Sequence, residues 1–192
     1  MELSDNEKEI LLAIARDAIN CSFSRRDFIP VDLETYPSLK LKAGAFVTLT
    51  KKGELRGCIG YIISDDLLID TIRRVAVKAS FEDPRFPELR EPELDTIDIE
   101  ISILSPPFKM NSYDDIILGI HGVILDDSGH RGLLLPQVPI EHNMNKEQFL
   151  TALCRKAGLP SMRWKEQELK ISLFTATVFS EKEIRSRRDA GN

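Results

Sequence analysis

The sequence predicts an α+β protein of two related lobes, each mostly antiparallel sheet with helices packed on one side. Three observations carry this. A hairpin, an amphipathic helix and a strand follow one another twice along the chain. Residues 97–104 alternate strictly, with Ile97, Ile99, Ile101 and Ile103 on one face and Asp98, Glu100 and Ser102 on the other, as in a half-buried strand. The first hairpin turns at Gly53, which can take a positive φ, and Asp126 to Gly129 is its counterpart in the second half.

The elements follow in order. Ser4 and Glu7 read as a capping box, and Ile10, Leu11, Ile14, Ala18 and Ile19 then recur at helical spacing. Residues 22–43 contain Pro30 and Pro37 and read as an irregular connection with room for one short helical turn. Residues 45–49 are a β-rich run, 51–54 the turn and 55–62 the returning strand. A helix starts near residues 64–66 and buries Leu68, Ile72, Val75, Ala76 and Ala79. Pro84 and Pro87 place the next stretch in a loop, and Pro106-Pro107 stops the strand at 97–104. In the second half, residues 123–125 and 131–135 form the hairpin. Asn145 with Gln148 opens a helix that buries Phe149, Leu150, Leu153, Cys154 and Ala157, and Gly158 closes it before Pro160. Residues 169–179 read as one final strand with a bulge near Phe174. Residues 181–192 read as a polar, solvated tail.

The halves align by subtraction. Val47 and Val123 are 76 positions apart, as are Gly53 and Gly129; Arg56 and Arg131 are 75 apart, and Ile97 and Ile171 are 74 apart. We read an internal β-β-α-β duplication, with repeats at 44–105 and 119–179, inside a single domain spanning 1–192.

Composition narrows the function without naming it. Hydrophobic residues at 42% and charged residues at 30% describe a chain that buries a core, not a disordered one. A net charge of -5 argues against nucleic-acid or anionic-membrane binding, which needs a basic footprint. The three cysteines, Cys21, Cys58 and Cys154, form neither a C-x-x-C motif nor a disulfide framework, and no metal-ligand spacing is present. The acidic start at residues 1–7 lacks an apolar signal region, and no apolar run nears the roughly 18 residues of a membrane span. The expectation is a soluble cytoplasmic protein with reduced thiols and no cofactor. Phosphate-loop, dinucleotide, serine-hydrolase and zinc-protease motifs are absent from the sequence.

The most informative stretch is Leu55-Arg56-Gly57-Cys58-Ile59-Gly60. Strand alternation puts Arg56, Cys58 and Gly60 on one face, and Leu55, Gly57 and Ile59 on the other. A guanidinium beside a thiol favours the thiolate. Gly57 and Gly60 beside it suggest an access slot. The plainer reading makes Cys58 a small core hydrophobe and the glycines packing positions. Asp83 and Arg85, in a loop stiffened by prolines, form a second candidate pair, either a ligand contact or a salt bridge that ties the loop. His121, between Gly119 and Gly122, could act as a base for Cys58, or be a turn residue.

LRGCIG, preceded by Gly44-Ala45-Phe46-Val47-Thr48-Leu49, resembles the AMMECR domain family. Further matches follow in family order: Asp83-Pro84-Arg85-Phe86, Glu93-Leu94, Gly119 with His121-Gly122, residues 133–138 and Lys156-Ala157-Gly158-Leu159. The resemblance covers about residues 44–179. It implies a two-lobed α+β domain with the LRGCIG residues facing a cleft between the lobes, and a site at Arg56, Cys58, Asp83, Arg85 and His121. It implies no settled reaction. Some family members are linked genomically or by fusion to a Memo-type protein and a radical-SAM-type enzyme, and this chain lacks the iron-sulfur cysteine cluster of the latter. The expected function is a site around Arg56 and Cys58 that uses a cysteine nucleophile or binds a small anionic molecule or peptide. Cys58, Arg56 and His121 are the catalytic candidates; Asp83, Arg85, Gly57 and Gly60 are the substrate contacts. The alternative is a non-catalytic interaction module.

Overall fold

The computed structural model describes residues 3–190 and divides into two units. Met1, Glu2, Gly191 and Asn192, which the two terminal readings include, lie outside the described residues. The first unit runs to Leu104 and resumes at Thr177; the second is Ser105–Ala176. The strands are β1 Ala45–Lys51, β2 Glu54–Tyr61, β3 Ile97–Leu104, β4 Phe108–Lys109, β5 Gly122–Asp127, β6 His130–Leu134, β7 Ile171–Phe174 and β8 Ala176–Ser180. They form two four-stranded sheets, ordered β2-β1-β3-β8 and β4-β7-β5-β6. Each sheet contains a hairpin whose first strand pairs antiparallel with a third strand, β3 in one and β7 in the other. The α+β class expected from the pattern is the class observed.

In the first unit, helices α1 Asp5–Ser24 and α2 Leu68–Phe81 cover one face of the sheet. Leu11, Ile19, Ile72 and Val75 pack with Val47, Leu49, Ile99 and Ile101, all fully buried. Each such aliphatic side chain contributes about 1.5–3 kcal/mol. The capping box at α1 is present: Glu7 N–H donates to Ser4 Oγ at 3.3 Å and Ser4 N–H to Glu7 Oε2 at 2.8 Å. The connection before β1 holds one short 3-10 turn, Pro37–Lys40.

In the second unit, α3 Val138–Glu141, α4 Lys146–Lys156 and α5 Arg163–Glu166 accompany the sheet. Phe149, Leu150, Leu153 and Cys154 of α4 pack with Val123, Leu125, Ile171 and Leu173. Both hairpins close through the same two-residue turn. Lys52-Gly53 and Ser128-Gly129 have positive φ throughout, 53° and 84° in one and 52° and 84° in the other. That combination matches the twist of the flanking strands.

Two expectations are corrected. Residues 169–179 are not one bulged strand: at Thr175 the chain leaves the second sheet as β7 and joins the first as β8. The alternation slips there because Phe174 is buried as well as Leu173, where the first of the two strands ends. Nor is the end a frayed tail: Glu181–Ala190 forms helix α6, although most of its described side chains are solvated as expected. Arg16 donates to the Glu181 carboxylate through Nε at 3.0 Å, and Ile184 packs on the first core. Ser180 and Glu183 form a capping box there, the local signal already read at Ser4.

Candidate functional site

Cys58 lies on β2, the edge strand of the first sheet. An edge strand leaves backbone groups unpaired, and proteins cover such edges. Here the loop after α2 does so. Cys58 N–H donates to Asp83 Oδ2 at 2.8 Å, and Arg85 Nη2 donates to the Cys58 carbonyl at 3.2 Å. Since its backbone groups point away from β1, Cys58 forms a non-hydrogen-bonded pair with Thr48, the class in which opposed side chains come closest. Thr48 Oγ1 donates to Cys58 Sγ at 3.3 Å, and the thiol is partly exposed.

Asp83 organises this corner. Its side chain is only 2% exposed, yet it is fully bonded. Oδ1 accepts from Arg85 N–H at 3.1 Å and Nε at 3.0 Å; Oδ2 accepts from Arg85 Nη2 at 2.8 Å as well as from Cys58. This two-point pairing fixes the guanidinium plane. The Arg85 guanidinium, then the Cys58 N–H, hold the Asp83 carboxyl down at about 2 against the opposing effect of burial. Asp83 is therefore an anchor at neutral pH, not a proton carrier. Arg85 is raised in turn, first by Asp83 and also by the Cys58 sulfur beside it. Its side chain is 54% exposed and stacks on Phe86 at 5.4 Å. Nε and Nη2 are committed, and Nη1 has no partner among the described residues.

Arg56 does not play the part expected of it. The β1–β2 register slips by one residue: Leu49 faces Gly57 but Thr50 faces Leu55, leaving Arg56 as the extra residue. The slip moves Leu55 to the Cys58 face. Arg56 instead donates to Glu93 through Nε at 3.2 Å and Nη2 at 3.1 Å, and to the carbonyls of Pro87 and Glu88. Lys51 adds a contact to Glu93 at 2.9 Å. Arg56, then Lys51 and the Arg90 N–H, hold the buried Glu93 carboxyl at about 2. The guanidinium bonded to Cys58 is thus Arg85, 27 residues away in the chain, through the backbone carbonyl.

The glycine slot is filled. A Cβ at Gly57 would lie 2.1 Å from the Ala79 carbonyl of α2, and one at Gly60 2.3 Å from the Phe46 ring. These glycines admit a helix and an aromatic ring. His121 belongs to the second unit, where Nδ1 lies 3.2 Å from Ile117 N and 3.0 Å from the Asp115 carbonyl. Burial raises the thiols of Cys21 and Cys154, in keeping with structural roles. Among the described residues no cluster of His, Cys, Asp or Glu is arranged for a metal, and no helix is long and apolar enough to cross a membrane. Thr48 and Glu93 are the contributors that sequence reasoning missed. Strand pairing reveals Thr48, and only the fold brings Glu93 to Arg56.

The chain is similar to proteins of several archaea. The chain is 41% identical over 187 residues to a protein of Methanothermobacter thermautotrophicus, covering 93% of this chain and 96% of that one. It is 39% identical over 189 residues to one of Thermococcus onnurineus, covering 93% and 92%. The crystal structure of the uncharacterized protein PH0010 from Pyrococcus horikoshii superposes with a TM-score of 0.86 at 34% identity, covering 94% of each chain. The family model described as AMMECR1 matches residues 12–179, from the first helix through LRGCIG to the last strand, and the chain belongs to the AMMECR1 family.

Proposed function

We propose that the Cys58–Arg85 corner binds a small anionic molecule and presents it to the Cys58 thiol, as a cysteine-nucleophile enzyme would. One observation carries this reading: a half-exposed guanidinium, locked in place by a nearly inaccessible carboxylate and bonded to the carbonyl of the partly exposed Cys58, keeps one nitrogen uncommitted. A guanidinium has five N–H donors. Asp83 and the Cys58 carbonyl account for Nε and Nη2, so only Nη1 can hold a ligand oxygen. Such a nitrogen suits a carboxylate or phosphate, on a metabolite or at a peptide's end, through a single-nitrogen contact. Cys58 is the nucleophile, Arg85 the anion contact and Asp83 the residue that aims Arg85.

Two alkylating agents of similar size and different charge test this. Iodoacetate is an anion and iodoacetamide is neutral. The ratio of their rates at Cys58 should exceed that for free glutathione by about fivefold, as a partly screened charge contact of about 1 kcal/mol gives. In Arg85→Ala the ratio should fall to the glutathione value. A wild-type ratio equal to that of glutathione would refute the anion site.

A further inference from the structure

Thr48 occupies the position across from the thiol, on the central side of the sheet. It pairs with Cys58 on β2 and with Glu100 on β3, so the row on this face runs Cys58, Thr48, Glu100. We infer that Thr48 is a positioning residue for the Cys58 sulfur, holding it toward the Arg85 side and donating a hydrogen bond as negative charge develops on it. This rests on the reading of Cys58 as a nucleophile and adds a residue outside the six of LRGCIG.

Three features support the assignment. A threonine side chain is stiff about χ1, so its hydroxyl is set in place by the strand. The Cys58–Thr48 pair is of the close, non-hydrogen-bonded type, and Oγ1 lies 3.3 Å from Sγ. The flanking residues 47 and 49 are fully buried in the core, so Thr48 cannot drift from the row. Arg85 and Asp83 from the loop bear on Cys58, and Glu100 is the β3 register partner of Thr48.

The test is alkylation of native Cys58 by neutral iodoacetamide, followed by mass spectrometry of the Cys58 peptide. The thiol proton goes to solvent, the sulfur lone pair forms the S–C bond, and iodide leaves with the electron pair of the C–I bond. Thr48→Val keeps the shape and removes the hydroxyl; it should slow the reaction at pH 7 about tenfold, the size of a hydrogen bond to a charged group. Its pH–rate profile should move to higher pH, and Thr48→Ser should restore both. Thr48→Ala serves in the same way if the valine variant does not fold. A wild-type rate and unmoved profile in the valine or alanine variant, no rescue by serine, or no alkylation of the native wild type would each overturn the proposal. Iodoacetamide carries no charge, so this readout does not depend on the anion contact. Loss of the iodoacetate preference with the Thr48 effect intact would reject only the anion site.

Discussion

Asp83→Asn should destabilise the first unit, and the loss should shrink in acid. The wild-type carboxylate accepts from Arg85 at three donors and from the Cys58 N–H, with its side chain almost fully buried. Removing the charge weakens the bond to the buried edge of β2 and releases Arg85. A hydrogen bond to a charged group contributes about 1.5–3 kcal/mol. The half-exposed Arg85 recovers much of its share from water, so the ion pair adds at most about 1 kcal/mol. Together these give about 3 kcal/mol, or a fall in Tm of about 6–12 °C for a chain of this length. The folded carboxyl sits at about 2, below its usual value of 3.8. Its stabilisation is therefore complete above about pH 4 and is lost as pH falls through 2. Allowing for screening, this pH-linked part is on the order of 1–2 kcal/mol. Urea unfolding of both proteins at pH 7, 5, 4 and 3 measures it. The two curves should lie apart at pH 7 and 5 and converge below pH 4. A difference under 0.5 kcal/mol, taken as about the scatter of surface substitutions, or a gap that does not change with pH, would show that Asp83 is not the anchor.

Glu93→Gln should act in the same direction, by about 2–3 kcal/mol, because it leaves Arg56 and Lys51 without their shared carboxylate; urea unfolding at pH 7 reads it, and equal midpoints would reject the assignment. Gly57→Ala should cost about 2–3 kcal/mol, since its Cβ would meet the α2 backbone at 2.1 Å, whereas Gly53→Ala, in open space at a φ of 84°, should cost about 1 kcal/mol; thermal unfolding that ranks them in reverse would contradict the packing. In the native protein Cys58 should be alkylated well before Cys21 and Cys154, both buried, and peptide mapping over time would show any other order.

Local rules were enough where both partners lie within a few residues. The capping boxes at Ser4 and Asn145 and the isoleucine alternation in β3 depend on short-range geometry, and each stands where the pattern put it. The X-Gly hairpin turns do too, since positive φ is a property of single residues. The missed cap at Ser180 was equally local and was hidden by a polar composition.

The features that residue order did not reveal involve residues distant in the chain. A one-residue slip opposite Leu49 and Thr50 cannot be seen in β2 alone, because it is a property of the pair; it took Arg56 out of the alternation on which its expected place beside Cys58 rested. Arg56 then found Glu93, 37 positions away, and Cys58 met Arg85 instead. The change of sheet at Thr175 likewise depends on which strand edges lie nearby. Side-chain periodicity records which face of an element is buried, so residue order was enough for the principal elements and the chemistry-bearing segments, but not for the division into β7 and β8 or for α6. Which charge stands beside the sulfur depends on register and long-range packing, and only the folded chain supplies both.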